Sequence, residues 1–263
     1  METTALKKLR NFNKLMGALH LVQGIAMLFL ATRVIQKIGE FSPVITQNFL
    51  AFNEQTRSLE LASKELFKLP FGILVAAFLL ISALAHALIS IPNKTNAIYN
   101  ADLQKGINRF RWFEYALSSS VMIVLISTLF GIYDIASLVL IFIVNASMNL
   151  FGLVMEQLNS GTTKGKINWG PFAWGSIAGI APWIAIVLYM VGNGNYASVP
   201  WFVWAIVGTY FVAFNTFPIN MILQYKSVGK WKNYLYGERT YIVLSLVAKS
   251  ILAWLVLFGA MQP

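Results

Sequence analysis

Residues Val243 to Leu257 read VLSLVAKSILAWLVL, an apolar run broken by two serines and a single cation, Lys249. Extended to Thr240 and Ala260, the run has the roughly 20 mostly apolar residues that an α-helix needs to cross a bilayer. Six more such windows lie upstream, at Leu15 to Ile35, Leu69 to Ile91, Ile107 to Phe130, Ile132 to Met155, Trp169 to Val191 and Trp201 to Tyr225. The pattern predicts an all-α membrane protein, a seven-transmembrane-helix bundle forming a single domain over residues 1–263. Gly131, and Gly192, Asn193 and Gly194, mark short connections after the third and fifth spans, whereas residues 37–68 form a long polar loop that should carry structure of its own. No internal repeat suggests a transporter built from two related halves.

Composition agrees: of 263 residues 57% are apolar and 11% charged, far below the roughly 25% charged residues of a soluble domain. The absence of cysteine excludes disulfides, thiolate metal sites and cysteine nucleophiles. The net charge of +10 sits in short loops rather than along one soluble face, so anionic lipid headgroups, not nucleic acid, are the expected partner. The first apolar run is long enough to span and is followed by no small-residue cleavage site, so it reads as a retained helix.

Orientation follows from where the basic residues fall. One side receives Lys7, Lys8, Arg10, Lys14, Lys94, Lys105, Arg109, Arg111, Lys164, Lys166, Lys226, Lys230, Lys232 and Arg239, and the other only Arg33, Lys37, Arg57, Lys64 and Lys68. Lys and Arg are retained in the cytoplasm, which places the N-terminus inside, the C-terminus outside and the 37–68 loop on the extracellular face of a prokaryotic-type plasma membrane.

Of the 20 Lys and Arg residues, that distribution leaves out only Lys249. Counted from Glu238, it lies about 16 Å along the last helix, too deep for its stem to reach bulk water. A charge at such depth costs about 2.5 to 3.5 kcal/mol or more and marks a functional site; a structural lysine paired to a carbonyl or carboxylate is the plainer alternative. Glu114, in NRFRWFEYALSSS on the third helix, lies about 9 Å deep from the same side. Side chains lean toward the N-terminus of their own helix, so the Lys249 amine should meet the Glu114 carboxylate. His20 and His86 fall at the same level, about 8 Å from that side. Ser82, Ser118 and Ser245 lie one turn from His86, Glu114 and Lys249 and share their faces. Together they read as a small hydrated polar pocket. Asp134, Glu156 and Glu238 are expected at the membrane interfaces, so Glu114 is the one acid in the core and a carboxylate relay across the membrane is missing. Paired carboxylates and His/Glu metal spacings are also missing, so neither an enzyme nor a metal site is expected.

With these residues in place, the chain resembles the microbial rhodopsins and, with its N-terminus inside, the heliorhodopsins. Lys249 in LSLVAKS takes the place of the retinal-binding lysine. Ser245 stands where the pumps of that superfamily carry an acid, and Arg111 and Glu114 match the arginine and counterion spacing on the third helix. Tyr115 replaces the tryptophan usual in pumps, and Leu125 occupies the place of a pump's cytoplasmic donor acid. Phe214, Phe217 and Pro218 in FNTFP are similar to the aromatic wall of the polyene site, Trp254 follows Lys249 by five residues, and Asn145 and Met148 are suitably placed on the fourth helix. The resemblance implies all-trans retinal held as a protonated Schiff base on Lys249, with Glu114 as counterion and Tyr115, Ser118, Met122, Asn145, Met148, Phe214, Phe217, Pro218, Ser245 and Trp254 around it. A carboxylate beside the Schiff base favours its protonated form. The resemblance further implies a photoreceptor with a slow photocycle and no ion pumping, in which the proton passes to a cluster of His20, Ser82, His86 and Arg111. It also implies a homodimer to which the first loop contributes, and an unidentified downstream signalling partner. A light-gated or light-driven ion transporter, and a seven-helix channel or transporter without chromophore that uses Lys249 and Glu114 as a gate, remain as alternatives.

Overall fold

The computed structural model describes residues 4–34, 42–162, 166–192, 194 and 199–260. The expectations attached to Ile35, Lys37, Lys164 and Asn193 lie outside the described residues. Helix α1 covers Thr4–Phe29 and ends in a π-helical turn, Leu30–Val34. A β-hairpin follows, with β1 at Val44–Asn53 and β2 at Ser58–Lys68. The remaining helices are α2 (Phe71–Ser90), α3 (Asn93–Gln104), α4 (Arg109–Leu129), α5 (Ile135–Leu158), α6 (Gly170–Gly192), α7 (Trp201–Tyr225) and α8 (Tyr234–Ala260). Among the described residues seven helices, all but α3, are long and apolar enough to cross a membrane. Helices are the economical solution there, because each satisfies its own backbone hydrogen bonds without water.

Two elements were not legible as such. The segment before α4 is not a simple loop: NKTNAIYNADLQ forms α3, whose Tyr99 and Leu103, one turn apart, pack with Leu6, Leu9 and Ile242. That packing also explains why α1 is helical well before the apolar window: the turns ahead of it bury Leu6 and Leu9 against α3. The long first loop is an antiparallel hairpin with a register shift between Ile45 and Thr46. Its base is anchored in the bundle, with Ile45 fully buried and the Thr46 N–H donating to the Tyr133 carbonyl at 2.9 Å. Its tip turns through Arg57 at φ 51°. Asn53 Oδ1 accepts from the Gln55 and Thr56 amides there, as an Asx turn does. Hydrogen bonds from Thr56, then Asn53, hold the Glu60 carboxyl below the usual carboxylate range. Phe49, Leu50, Phe52, Leu59 and Leu61 of the hairpin are exposed.

At the N-terminus of α5, Asp134 caps the helix by accepting from Ser137 N at 3.0 Å, which lowers its carboxyl from its ordinary value. Gly17 and Gly24, two turns apart on α1, let that helix lie close on α2. A Cβ at Gly17 would come within 2.8 Å of His86 Cβ, and one at Gly24 within 2.7 Å of Leu80. Small residues at such a seam are what membrane helices use for close approach. The close contact of α1 and α2 brings His20 and His86 together, and their rings stack with centroids 5.6 Å apart.

Candidate functional site

The site is built where α4 and α8 meet in the middle of the bundle. Lys249 is 4% exposed, and its Nζ donates to Glu114 Oε1 at 2.9 Å and to Ser245 Oγ at 2.8 Å. Ser82 on α2 donates to the same carboxylate oxygen at 2.5 Å. Glu114 thus satisfies a buried cation from α8 and a hydroxyl from α2, and such pairing offsets the desolvation that each ion suffers alone. The serine one turn before Lys249 sits on the same face and completes the amine's hydrogen bonding.

On one side of this pair opens a cavity of about 350 Å³, within the roughly 300 to 1,000 Å³ typical of small-molecule sites. Lys249, Ser245 and Tyr115 close one part of it, and its walls are mostly aromatic: Trp112, Phe172, Trp183, Tyr210, Phe214 and Phe217. Met122, Met148 and Pro218 line it as well. Pro218 lies inside α7 and leaves the Phe214 carbonyl without its helical donor. The Tyr115 hydroxyl donates to the Tyr241 carbonyl at 3.0 Å, which fixes its ring edge-on to Phe217.

On the other side lies a small polar cavity of about 30 Å³, lined by Asn13, Ser82, His86, Arg111, Glu114 and Glu238 among others. By volume it holds one or two water molecules. His20 is fully buried and stacked on His86, and neither of its ring nitrogens has a hydrogen-bond partner.

Of the residues named from the sequence, the structure joins Lys249, Glu114, Ser82 and Ser245 directly. It sets Tyr115, Met122, Met148, Phe214, Phe217 and Pro218 on the large cavity. Ser118 is fully buried beside Glu114 and does not line that cavity. Two other residues placed around the large cavity from the sequence do not line it. Asn145 is buried between α4 and α5, where its Nδ2 donates to Ser119 and Ser120, and Trp254 donates to Gln23 Oε1 at 3.3 Å. The amide that does reach the cavity is Asn149, one turn along α5 and bonded to Ser119.

Arg111 corrects a second expectation. It lines the small cavity, yet its guanidinium forms ion pairs with Glu238 and Glu156 rather than joining Glu114 and the histidines. The two glutamates, near the ends of their helices as expected, are nevertheless buried inside the protein. They are 1% and 2% exposed, and they take further hydrogen bonds from Asn108, Trp112, Tyr99 and Tyr234. Glu114 is thus not the only acid withdrawn from solvent. Nothing in the local sequence announces this cluster, because its members come from α3, α4, α5 and α8. Arg111 also lies over the Tyr241 ring at 4.0 Å from the centroid.

The family profile described as Heliorhodopsin matches residues 9–261 of the chain. Among solved structures, the chain is similar to that of a light-driven proton pump, LR (Mac), from Leptosphaeria maculans, with a TM-score of 0.57 at 14% identity over 98% of this chain and 95% of that one. That likeness concerns the fold. No curated protein matches the sequence.

Proposed function

The chain belongs to the heliorhodopsin family, a family of light-sensing retinal proteins, and is a multi-pass membrane protein of photoreceptor type. On that premise we propose that it holds all-trans retinal covalently on Lys249 as a protonated Schiff base, with Glu114 as counterion. The observation that carries the reading is the aromatic-walled cavity ending at a buried amine already paired with one carboxylate. Its volume and apolar lining suit a polyene, and the amine at its end suits an aldehyde.

When bound, the chromophore supplies absorption of visible light and isomerisation about its polyene. The protein's residues do the rest. Tyr115, Phe217, Phe214 and Trp183 confine the polyene, and Pro218 shapes the wall. Lys249 carries the positive charge and Glu114 stabilises it, with Ser82 and Ser245 completing the polar shell. The proton released from the Lys249 nitrogen passes into the small cavity beside Glu114 and is accepted by the His20 and His86 cluster, since a neutral imidazole keeps one ring nitrogen free to take a proton. It does not cross the membrane, and the output is sensory or regulatory. We propose further that the N-terminus is cytoplasmic, as the distribution of Lys and Arg favours. The chain would then form one domain in the plasma membrane, contacting anionic lipids. The exposed apolar residues of the hairpin support a contribution of that element to a homodimer.

Flash excitation of the reconstituted protein in sealed vesicles with a pH-sensitive dye tests this. The visible band should convert transiently to a blue-shifted absorbance with no net dye signal, and His20→Phe with His86→Phe should change the lifetime of that absorbance. Unchanged kinetics in the double variant would reduce both histidines to packing, and a sustained dye response would mean transport.

A further inference from the structure

If the His20 and His86 cluster accepts the proton, as proposed above, hydrogen-bond polarity decides which atom does so. Asn13 on α1 is fully buried. One atom of its amide faces the Leu9 carbonyl at 3.1 Å and the Tyr99 hydroxyl at 3.3 Å, and the other faces His86 Nδ1 at 2.8 Å. A carbonyl oxygen only accepts, so the atom facing Leu9 is the amide nitrogen and the one facing His86 is Oδ1. Oδ1 likewise only accepts, so His86 Nδ1 must carry the hydrogen. In a neutral ring that leaves the lone pair on Nε2.

The far end of the chain enforces the same direction. Glu238 accepts from Arg111, from Asn108 Nδ2 at 2.6 Å and from the Tyr99 hydroxyl at 3.3 Å. With its hydrogen committed to Glu238, the Tyr99 oxygen is left to accept from Asn13. The bonds therefore run one way, from His86 through Asn13 and Tyr99 to the carboxylate that contacts Arg111. Reversing any one of them would set two donors or two acceptors face to face, which in a buried site costs about 1 to 3 kcal/mol.

We propose that Asn13, anchored by Leu9, Tyr99 and Glu238, is a positioning residue that locks neutral His86 with its hydrogen on Nδ1 and so makes Nε2 the atom that accepts the proton from the Lys249 and Glu114 pocket. His86, Asn13 and Glu114 all line the small cavity, whose volume admits the water that would link them. His20, stacked on the same ring and without partners of its own, has no such lock.

The direct test is the dark-state 15N NMR spectrum of the histidine-labelled protein reconstituted with all-trans retinal. The chain has two histidines, so a His20→Gln sample assigns the signals of His86. The expected result is a protonated Nδ1 and an unprotonated, pyridine-like Nε2. In Asn13→Leu that pyridine-like Nε2 signal should be lost as the ring relaxes to the hydrogen on Nε2, while the protein stays coloured. A native spectrum with the hydrogen on Nε2, or on both nitrogens, overturns the proposal, as does an unchanged tautomer in Asn13→Leu. Should Asn13→Leu fail to fold, the native spectrum alone decides. Failure of the wider reading shows separately, as flash kinetics indifferent to both histidines with the tautomer intact.

Discussion

Glu114→Gln, reconstituted with all-trans retinal, should lose its visible band on alkalinisation at a pH about one to three units below the native protein. The reasoning is electrostatic. Glu114 is the only carboxylate within ion-pair distance of Lys249 Nζ among the described residues, and the amine's other hydrogen-bond partner, Ser245, is neutral. The site is buried, and the one or two waters its small cavity admits are neutral, so nothing replaces the missing anion and the positive form at the Lys249 nitrogen loses its main stabilisation. The charged form is favoured at low pH, and removing its counterion moves the midpoint of the titration downward. A spectrophotometric pH titration of the two proteins measures this directly. Coincident titration curves would show that Glu114 is not the counterion.

The second large effect is expected on stability. Arg111→Leu should destabilise the protein by about 3 to 5 kcal/mol, because it leaves two buried carboxylates, Glu156 and Glu238, without the cation that both of them grip. Arg111→Lys should lose less, since it restores the charge but not the planar guanidinium that reaches both acids at once. The deficit of Arg111→Leu should shrink as the pH falls, because protonating either glutamate relieves the repulsion between them. Thermal unfolding in detergent at two pH values measures all three statements. A melting temperature within error of the native value would mean that the cluster contributes no net stability.

Seven apolar windows were legible because the bilayer sets a length and a composition that few other segments meet. Lys249 and Glu114 were legible for a related reason: ions in apolar helices stand out, and the helical rise fixes their depth well enough to predict that they meet. Their 2.9 Å contact bears this out. The rest depended on tertiary packing. Glu156 and Glu238 lie near helix ends, where charges are ordinary, and only the fold shows that Arg111 draws both inward. Asn13 lies just before the first apolar window in the sequence, and its role depends on α3, an element that local periodicity hardly marks, since Tyr99 and Leu103 are most of its apolar face. Trp254 and Asn145 were assigned from motif position, and each turns toward a neighbouring helix instead of the cavity.

The covalent attachment itself is the claim on which the others rest, and peptide mapping addresses it. Protein reconstituted with all-trans retinal is reduced with borohydride, digested and analysed by mass spectrometry. The adduct should be found on the peptide carrying Lys249, and Lys249→Ala should take up no covalent label and show no visible band. Retinal recovered only in free form, an adduct on another lysine, or a coloured Lys249→Ala protein would contradict the account.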